Sequence, residues 1–282
     1  MAVFHVTFQS EALGRTVPLC VILPTDKLYF GPAPKKREDK PFKTLYLLHG
    51  IVGSHTDWLY GTSIQRYAEE HDLAVVMPAG ENSFYLDQPW NIAMYGDYIG
   101  RELVEFTRKS FPLSRKREDT YIGGLSMGGF GALRNGLKYH DTFGAIVALS
   151  GAFITDETLL IKEENPMYPS QTEEYKHSCF GPDLEAILKS DRNPKVLIET
   201  MAREKVEFPA IYLACGAQDF LLDKNNAIAK TLEENGVPFL YEVDPGAHEW
   251  EFWDSHIKRA LEWLPLEGKE AGMNSGNVGF DK

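Results

Sequence analysis

A chain of 282 residues with 43% hydrophobic and 12% aromatic side chains has ample material for one large buried core, and α/β architectures of this length commonly form around a single sheet. A formal net charge of -12 argues against nucleic-acid binding, which needs clustered Lys and Arg; the one basic run, Lys35-Lys36-Arg37, is broken at once by Glu38 and Asp39 and reads as a solvated loop. The three cysteines, Cys20, Cys179 and Cys215, are odd in number and far apart, which excludes a disulfide framework or zinc spacing. The N-terminus carries no basic segment leading into a long apolar stretch, and no run of about 18 apolar residues occurs. Reduced thiols, no metal, no cofactor, no membrane contact and a cytoplasmic setting are therefore expected.

In chain order, β-branched and aromatic residues predict strands over Val3–Phe8 and Val17–Leu23, joined by a turn at Glu11–Gly14 as an antiparallel pair. A polar, proline-bearing loop over Gly31–Pro41 leads to a compact apolar strand, Thr44–Leu48, which ends in His49-Gly50. Ile64, Tyr67 and Ala68 lie at helical spacing, and Leu73–Met77 is a further apolar run closed by Pro78. The alternation continues with a helix over Asp97–Phe111, a strand over Thr120–Gly124, a helix over Gly128–Lys138 and a strand over Ala145–Leu149. Such alternation predicts parallel strands joined by right-handed crossovers. From Ala152 to Phe208 the rhythm breaks, with Pro166, Pro169, Pro182 and Pro194 among short polar or weakly helical pieces, and a lid or cap insertion is expected there. Regularity returns with strand Ala210–Cys215, helix Asn225–Asn235, strand Phe239–Val243 and a last helix over Trp250–Leu264. The residues 1–266 thus read as one domain, followed by a Gly-, Ser- and Asn-rich tail over Glu267–Lys282 expected to be mobile.

Chemistry concentrates at three strand ends. Gly124-Leu125-Ser126-Met127-Gly128 is a G-x-S-x-G sequence between a strand and a helix, the context in which a sharp turn lifts a serine hydroxyl out of a sheet as a nucleophile. Strand Ala210–Cys215 leads into Gly216-Ala217-Gln218-Asp219, which puts Asp219 where an orienting carboxylate belongs; Asp223 is its nearest rival and suits a helix cap better. Strand Phe239–Val243 leads into Asp244-Pro245-Gly246-Ala247-His248, which presents His248 as the base. His140, His177 and His256 have no such position and read as structural or surface residues. The order Ser, Asp, His is that of the α/β-hydrolase fold. Oxyanion donors are expected from the amides of Met127, at the helix start, and Ile51, after the His49-Gly50 turn, with His49 itself bracing that loop. Trp58 and Trp90 lie on loops after strands and are candidates for substrate-binding walls, with core packing as the equal alternative.

With these motifs in hand, the chain resembles the esterase D group, which includes S-formylglutathione hydrolases, tributyrin esterases, and the acetyl- and feruloyl-esterases of carbohydrate esterase family 1. The resemblance rests on Leu48-His49-Gly50 with Gly53-Ser54 and Asp57-Trp58, on Gly124-Leu125-Ser126-Met127-Gly128-Gly129, on Cys215-Gly216 with Asp219, and on Gly246-Ala247-His248-Glu249-Trp250 with Trp253. It implies an α/β-hydrolase fold with a mostly parallel sheet, a Ser126-Asp219-His248 triad, and hydrolysis of a small ester, nearest to tributyrin-type esterases of short acyl chains. Acylated carbohydrates, feruloyl esters, S-formylglutathione and acyl transfer to a sugar belong to the same circle of relatives. The segment from Ala152 to Phe208 is where these relatives differ, and an apolar lid surface leaves room for a homo-oligomer.

Overall fold

The computed structural model describes residues 1–27, 40–163 and 171–266. The basic run at Lys35, nearly all of the expected loop over Gly31–Pro41, Pro166, Pro169 and the tail from Glu267 lie outside the described residues. Strands β1 (Ala2–Ser10) and β2 (Arg15–Leu23) open the chain, followed by β3 (Thr44–Leu48), α1 (Asp57–Gly61), α2 (Ile64–Glu70) and β4 (Ala74–Pro78). A two-stranded hairpin, β5 (Asp87–Gln88) and β6 (Ala93–Met94), then precedes α3 (Tyr95–Asp97), which continues through a π-helical turn at Tyr98–Glu102 into α4 (Leu103–Ser110). The second half holds β7 (Thr120–Leu125), α5 (Met127–Lys138), β8 (Ala145–Leu149), α6 (Glu173–Phe180), α7 (Leu184–Leu188), α8 (Pro194–Glu204), β9 (Ala210–Gly216), α9 (Leu222–Glu234), β10 (Leu240–Asp244) and α10 (Trp250–Trp263).

The main sheet has eight strands in the order β1-β2-β4-β3-β7-β8-β9-β10. Only β2 runs against its neighbours; every pair from β4 to β10 is parallel. The central strands are buried on both faces, which is why they read as continuous apolar runs. Along β3 the side chains still alternate between two cores: Leu45 and Leu47 pack with Trp58, Tyr67 and Ile257 on one face, Tyr46 and Leu48 with Phe130, Leu133 and Phe143 on the other. Helices α2 and α10 cover the first face; α4, α5, α8 and α9 cover the second.

Two differences from the sequence reading have physical causes. The β5–β6 hairpin has only two residues per strand, too short for a periodic signal. Within the segment expected to be an insertion, α8 buries Ile198 and Met201 in the main core and packs on α5 and α9, so it belongs to the helical layer of the sheet. What precedes it includes a short 3-10 turn at Glu157–Leu160, α6 and α7, with α7 packed against both the turn and α6.

Candidate active site

The turn from β7 to α5 is built on close backbone approach. A Cβ at Gly128 would lie within van der Waals distance of the Leu48 and His49 carbonyl oxygens, so only glycine lets the start of α5 approach the end of β3. Ser126 pivots between strand and helix with φ 53° and ψ -118°, a conformation that L-residues rarely adopt. Its backbone over-determines that pose: the amide donates to the Leu149 carbonyl at 2.9 Å, and the carbonyl accepts from the Phe130 and Ala152 amides, both at 3.0 Å.

The loops carrying Asp219 and His248, at the ends of β9 and β10, are laced together. Ala217 donates its amide to the Asp244 carbonyl (2.8 Å), Gln218 its amide to the Gly246 carbonyl (2.9 Å), and the Gly246 amide donates to Gln218 Oε1 (2.8 Å). This lacing brings the predicted residues into one line: His248 Nδ1 lies 2.9 Å from Asp219 Oδ2, and His248 Nε2 lies 3.0 Å from Ser126 Oγ. An ionised carboxylate only accepts, so Nδ1 carries the proton and Nε2 is left to receive the serine hydroxyl. Burial pushes the Asp219 carboxyl up, but the bonds it accepts from His248, the Leu221 amide (2.8 Å) and the Ser150 hydroxyl outweigh that and hold it below the usual carboxylate range. The His248 ring is flanked by Phe220 at 4.7 Å and by the edge of Trp253 at 4.9 Å, whose indole N–H donates to Ser150 Oγ. The rival Asp223 is exposed in the first turn of α9 and takes no part in this line.

Ser126 and His248 open on a cavity of about 770 Å³. Its walls include Phe84, Leu125 and Met127 from the scaffold, and Ile154, Leu159 and Lys176 from the β8–β9 connection. Ile51 and Met127 both border it, and neither amide donates to another group among the described residues. His49 does not reach the cavity: its Nε2 accepts the Gly80 amide (2.9 Å) and its Nδ1 lies 2.7 Å from the Gly50 carbonyl, so it braces the turn that holds Ile51.

The two tryptophans taken as candidate walls are placed elsewhere. Trp58 is fully buried, its N–H donating to the Leu48 carbonyl at 2.9 Å and its ring meeting Trp250 edge-on at 5.8 Å. Trp90 pins α6 through the Ser178 carbonyl (2.7 Å) and lies under the Arg192 guanidinium at 4.7 Å. Neither borders the cavity; the indoles that do are Trp250 and Trp253, with Phe220 beside them. Sequence reasoning missed Phe220, whose only signal was a large apolar side chain next to a predicted catalytic acid. It also missed Ser150 and Asn82, which carry no motif.

Among the described residues, one His-carboxylate cluster, Glu242, Asp244 and His256, has ligand atoms within 4.8 Å of one another, but Arg259 already lies against Asp244 and 3.6 Å from Glu242 and supplies the positive charge. All three cysteines are buried and unpaired, and burial pushes the Cys179 and Cys215 thiols up to about 12, far from nucleophilic. No helix among the described residues is long and apolar enough to cross a membrane.

A mostly parallel sheet of this order, flanked by helices and carrying a strained serine at a strand-to-helix turn, defines the α/β-hydrolase fold. A family model described as "Putative esterase" matches residues 10–264, and the chain belongs to this esterase family. It is 42% identical over 268 residues to an acetyl esterase of Caldicellulosiruptor saccharolyticus, covering 94% of this chain and 98% of that one. Among solved structures it is similar to FphF, a fluorophosphonate-binding serine hydrolase of Staphylococcus aureus (TM-score 0.81, 33% identity, 93% of this chain and 98% of that one). It is also similar to the S-formylglutathione hydrolase FrmB of the same organism (TM-score 0.78, 34% identity, with the same coverage of 93% and 98%). The chain is a carboxylic ester hydrolase of the serine esterase type.

Proposed function

We propose that the enzyme hydrolyses short-chain acyl esters, of acetyl and butyryl type, through an acyl-enzyme formed on Ser126. The observation that carries this reading is the hydrogen-bonded line from Asp219 through His248 to Ser126 Oγ, opening on an apolar cavity. Neutral His248 takes the serine proton through Nε2 as Oγ attacks the ester carbonyl, and Asp219 steadies the resulting imidazolium. The amides of Ile51 and Met127 receive the developing oxyanion; one such donor contributes about 2.7–4 kcal/mol at the transition state. His248 then protonates the leaving alcohol, and the same groups activate water to release the acid. The part of the β8–β9 connection before α8 acts as the cap that limits acyl length, because Ile154, Leu159 and Ile161 face the cavity.

The test is release of p-nitrophenol from acyl esters of increasing length, acetate to octanoate, by wild type and Ser126→Ala. Wild-type kcat/KM is expected to fall with chain length, and Ser126→Ala to lower kcat by about 10⁵- to 10⁶-fold. Turnover that survives in Ser126→Ala would sink the assignment. Thioester cleavage is a second reading, favoured by the 34% identity to an S-formylglutathione hydrolase. A larger kcat/KM on S-formylglutathione than on any oxygen ester would establish it.

A further inference from the structure

Ser126 is not the only serine held in left-handed backbone at a strand end. Ser150 follows β8, the parallel neighbour of β7, with φ 46°. Such a pose costs a non-glycine residue free energy and persists only where the surroundings over-determine it. Here the Ser150 amide donates to the Ala214 carbonyl at 2.7 Å, and the Asn225 side chain takes both the amide and the carbonyl of Gly151 (3.0 and 3.1 Å). Asn225 also donates to the Leu221 carbonyl at 2.9 Å, which ties this turn to the loop carrying Asp219.

The strained turn brings one hydroxyl to the Asp219–His248 pair. Ser150 is fully buried, and its Oγ accepts the Trp253 indole N–H at 3.1 Å. Its single proton has two acceptors in reach, Cys215 Sγ and the Asp219 carboxylate, and the ionised oxygen is the stronger. The Trp253 and His248 rings meet edge to face at 4.9 Å, and His248 Nδ1 lies 2.9 Å from Asp219 Oδ2. Four side chains therefore close a ring, running from Asp219 through His248, Trp253 and Ser150 back to Asp219.

We propose that Ser150 is a positioning residue of the hydrolysis, acting through Asp219, and that Trp253 sets the direction of its hydroxyl. This rests on the reading of Ser126, His248 and Asp219 given above. Asp219 takes bonds from His248, the Leu221 amide and the Ser150 hydroxyl, and donors from three directions fix the plane of its carboxylate. That plane fixes the His248 ring, whose Nε2 must stay 3.0 Å from Ser126 Oγ. With the indole N–H occupying a lone pair of Ser150 Oγ, the hydroxyl proton is turned toward Asp219. No proton passes through Ser150, which donates throughout. Ser150 does not border the cavity, so its effect falls on bond making and breaking and not on substrate binding.

The experiment measures kcat, KM and the pH dependence of kcat/KM for p-nitrophenyl acetate in wild type, Ser150→Ala, Ser150→Gly and Trp253→Phe. Alanine removes the hydroxyl and keeps the backbone strain; glycine removes both, so a loss shared by the two variants does not come from strain. A fall in kcat of about 10- to 100-fold is expected in both, the scale of one hydrogen bond to a charged group, with KM within about threefold of wild type. Trp253→Phe keeps an aromatic ring and loses the N–H, and a fall in kcat of about threefold to tenfold is expected. Combined with Ser150→Ala it should lower kcat little further, because both act through one hydroxyl. In the Ser150 variants the acid limb of kcat/KM is expected to move to higher pH by about half a unit or more, because the ionised Asp219–His248 pair loses a donor and takes up its inactivating proton more readily. Cys215 and Tyr241, the titratable groups beside Asp219, are pushed upward by burial and stay neutral across that range. An acid limb that stays in place in folded Ser150 variants, or a rise in KM with kcat unchanged, overturns the role. If Ser150→Ala does not fold by circular dichroism, Ser150→Gly and Trp253→Phe decide. Turnover retained in Ser126→Ala instead removes the reading on which the proposal rests.

Discussion

The Ser126 turn and the β8–β9 connection both border one cavity and are held by different kinds of contact. Around Ser126 the contacts are backbone on backbone: amides of residues 126, 130 and 152 fix the turn, and Gly128 lets α5 touch the end of β3. The connection is held by side chains reaching across long stretches of sequence. Arg134 donates to the Asp191 carbonyl (3.0 Å) and carboxylate (3.1 Å), Lys224 pairs with Asp156 at 2.6 Å, Tyr175 reaches Asn82, and Lys176 reaches the Ile161 carbonyl. The region that carries Ser126 therefore tolerates almost no added atom, whereas the β8–β9 connection can be rebuilt one contact at a time.

The largest effect that sharpens this comparison is expected from Gly128→Ala. The new methyl group meets the backbone carbonyls of Leu48 and His49, which cannot move without shifting β3, so destabilisation of about 3 kcal/mol is expected, at the upper end of overpacking costs. Any folded fraction carries Ser126 displaced from the Ile51 turn, and misplacement by about 1 Å costs on the order of 100-fold in rate. Urea denaturation and p-nitrophenyl acetate turnover measure the two; a variant as stable and active as wild type would show that the turn is not closed by backbone contact.

On the other side, Arg134→Leu removes a fully buried guanidinium that ties α5 to Asp191. Asp191 is half-exposed and keeps Lys138 at 2.6 Å, so the loss is screened, and about 1–2 kcal/mol is expected, a fall in Tm of roughly 2–8 °C. Turnover of a small ester should stay within about threefold of wild type, because no backbone contact of the Ser126 turn is touched. A loss of activity as steep as that of Gly128→Ala would erase the distinction between the two regions.

The same distinction explains what was legible in the sequence. Strands Thr44–Leu48 and Ala145–Leu149 appeared with their observed boundaries, because strands buried on both faces must be apolar throughout. Ser126, Asp219 and His248 could be placed from motif and strand end alone, since the fold brings those positions to one edge. What could not be read was set by contacts without local pattern. Trp58 and Trp90 read equally as pocket walls or as core packing; the first turns inward to the Leu48 carbonyl and the second toward α6, choices made by partners 10 and 88 residues away. Helix α8 looked like part of an insertion because Pro194 and its polar neighbours obscured the face that Ile198 and Met201 bury.

The smallest expected effect falls where the two kinds of contact meet, at His49. Burial pulls its pKa below the ordinary 6.5, with the Gly50 carbonyl bond opposing only in part, and Nε2 is committed to accepting the Gly80 amide. Protonating Nε2 would set one donor against another. Because the folded pKa is depressed, the unfolded chain takes up a proton at higher pH than the folded chain. The stability contributed by neutral His49 is therefore complete above pH 6.5 and is lost as pH falls below that value through the folded pKa. His49→Gln keeps an acceptor for Gly80 and does not titrate. It is expected to be less stable than wild type by about 1 kcal/mol at pH 8, with the gap narrowing at pH 5, as urea denaturation at the two pH values would measure. Other titrating groups are common to both proteins and cancel in the difference. A gap that stays constant between the two pH values would mean that His49 is braced by packing alone, and that the turn carrying the Ile51 amide owes nothing to the protonation state of its neighbour.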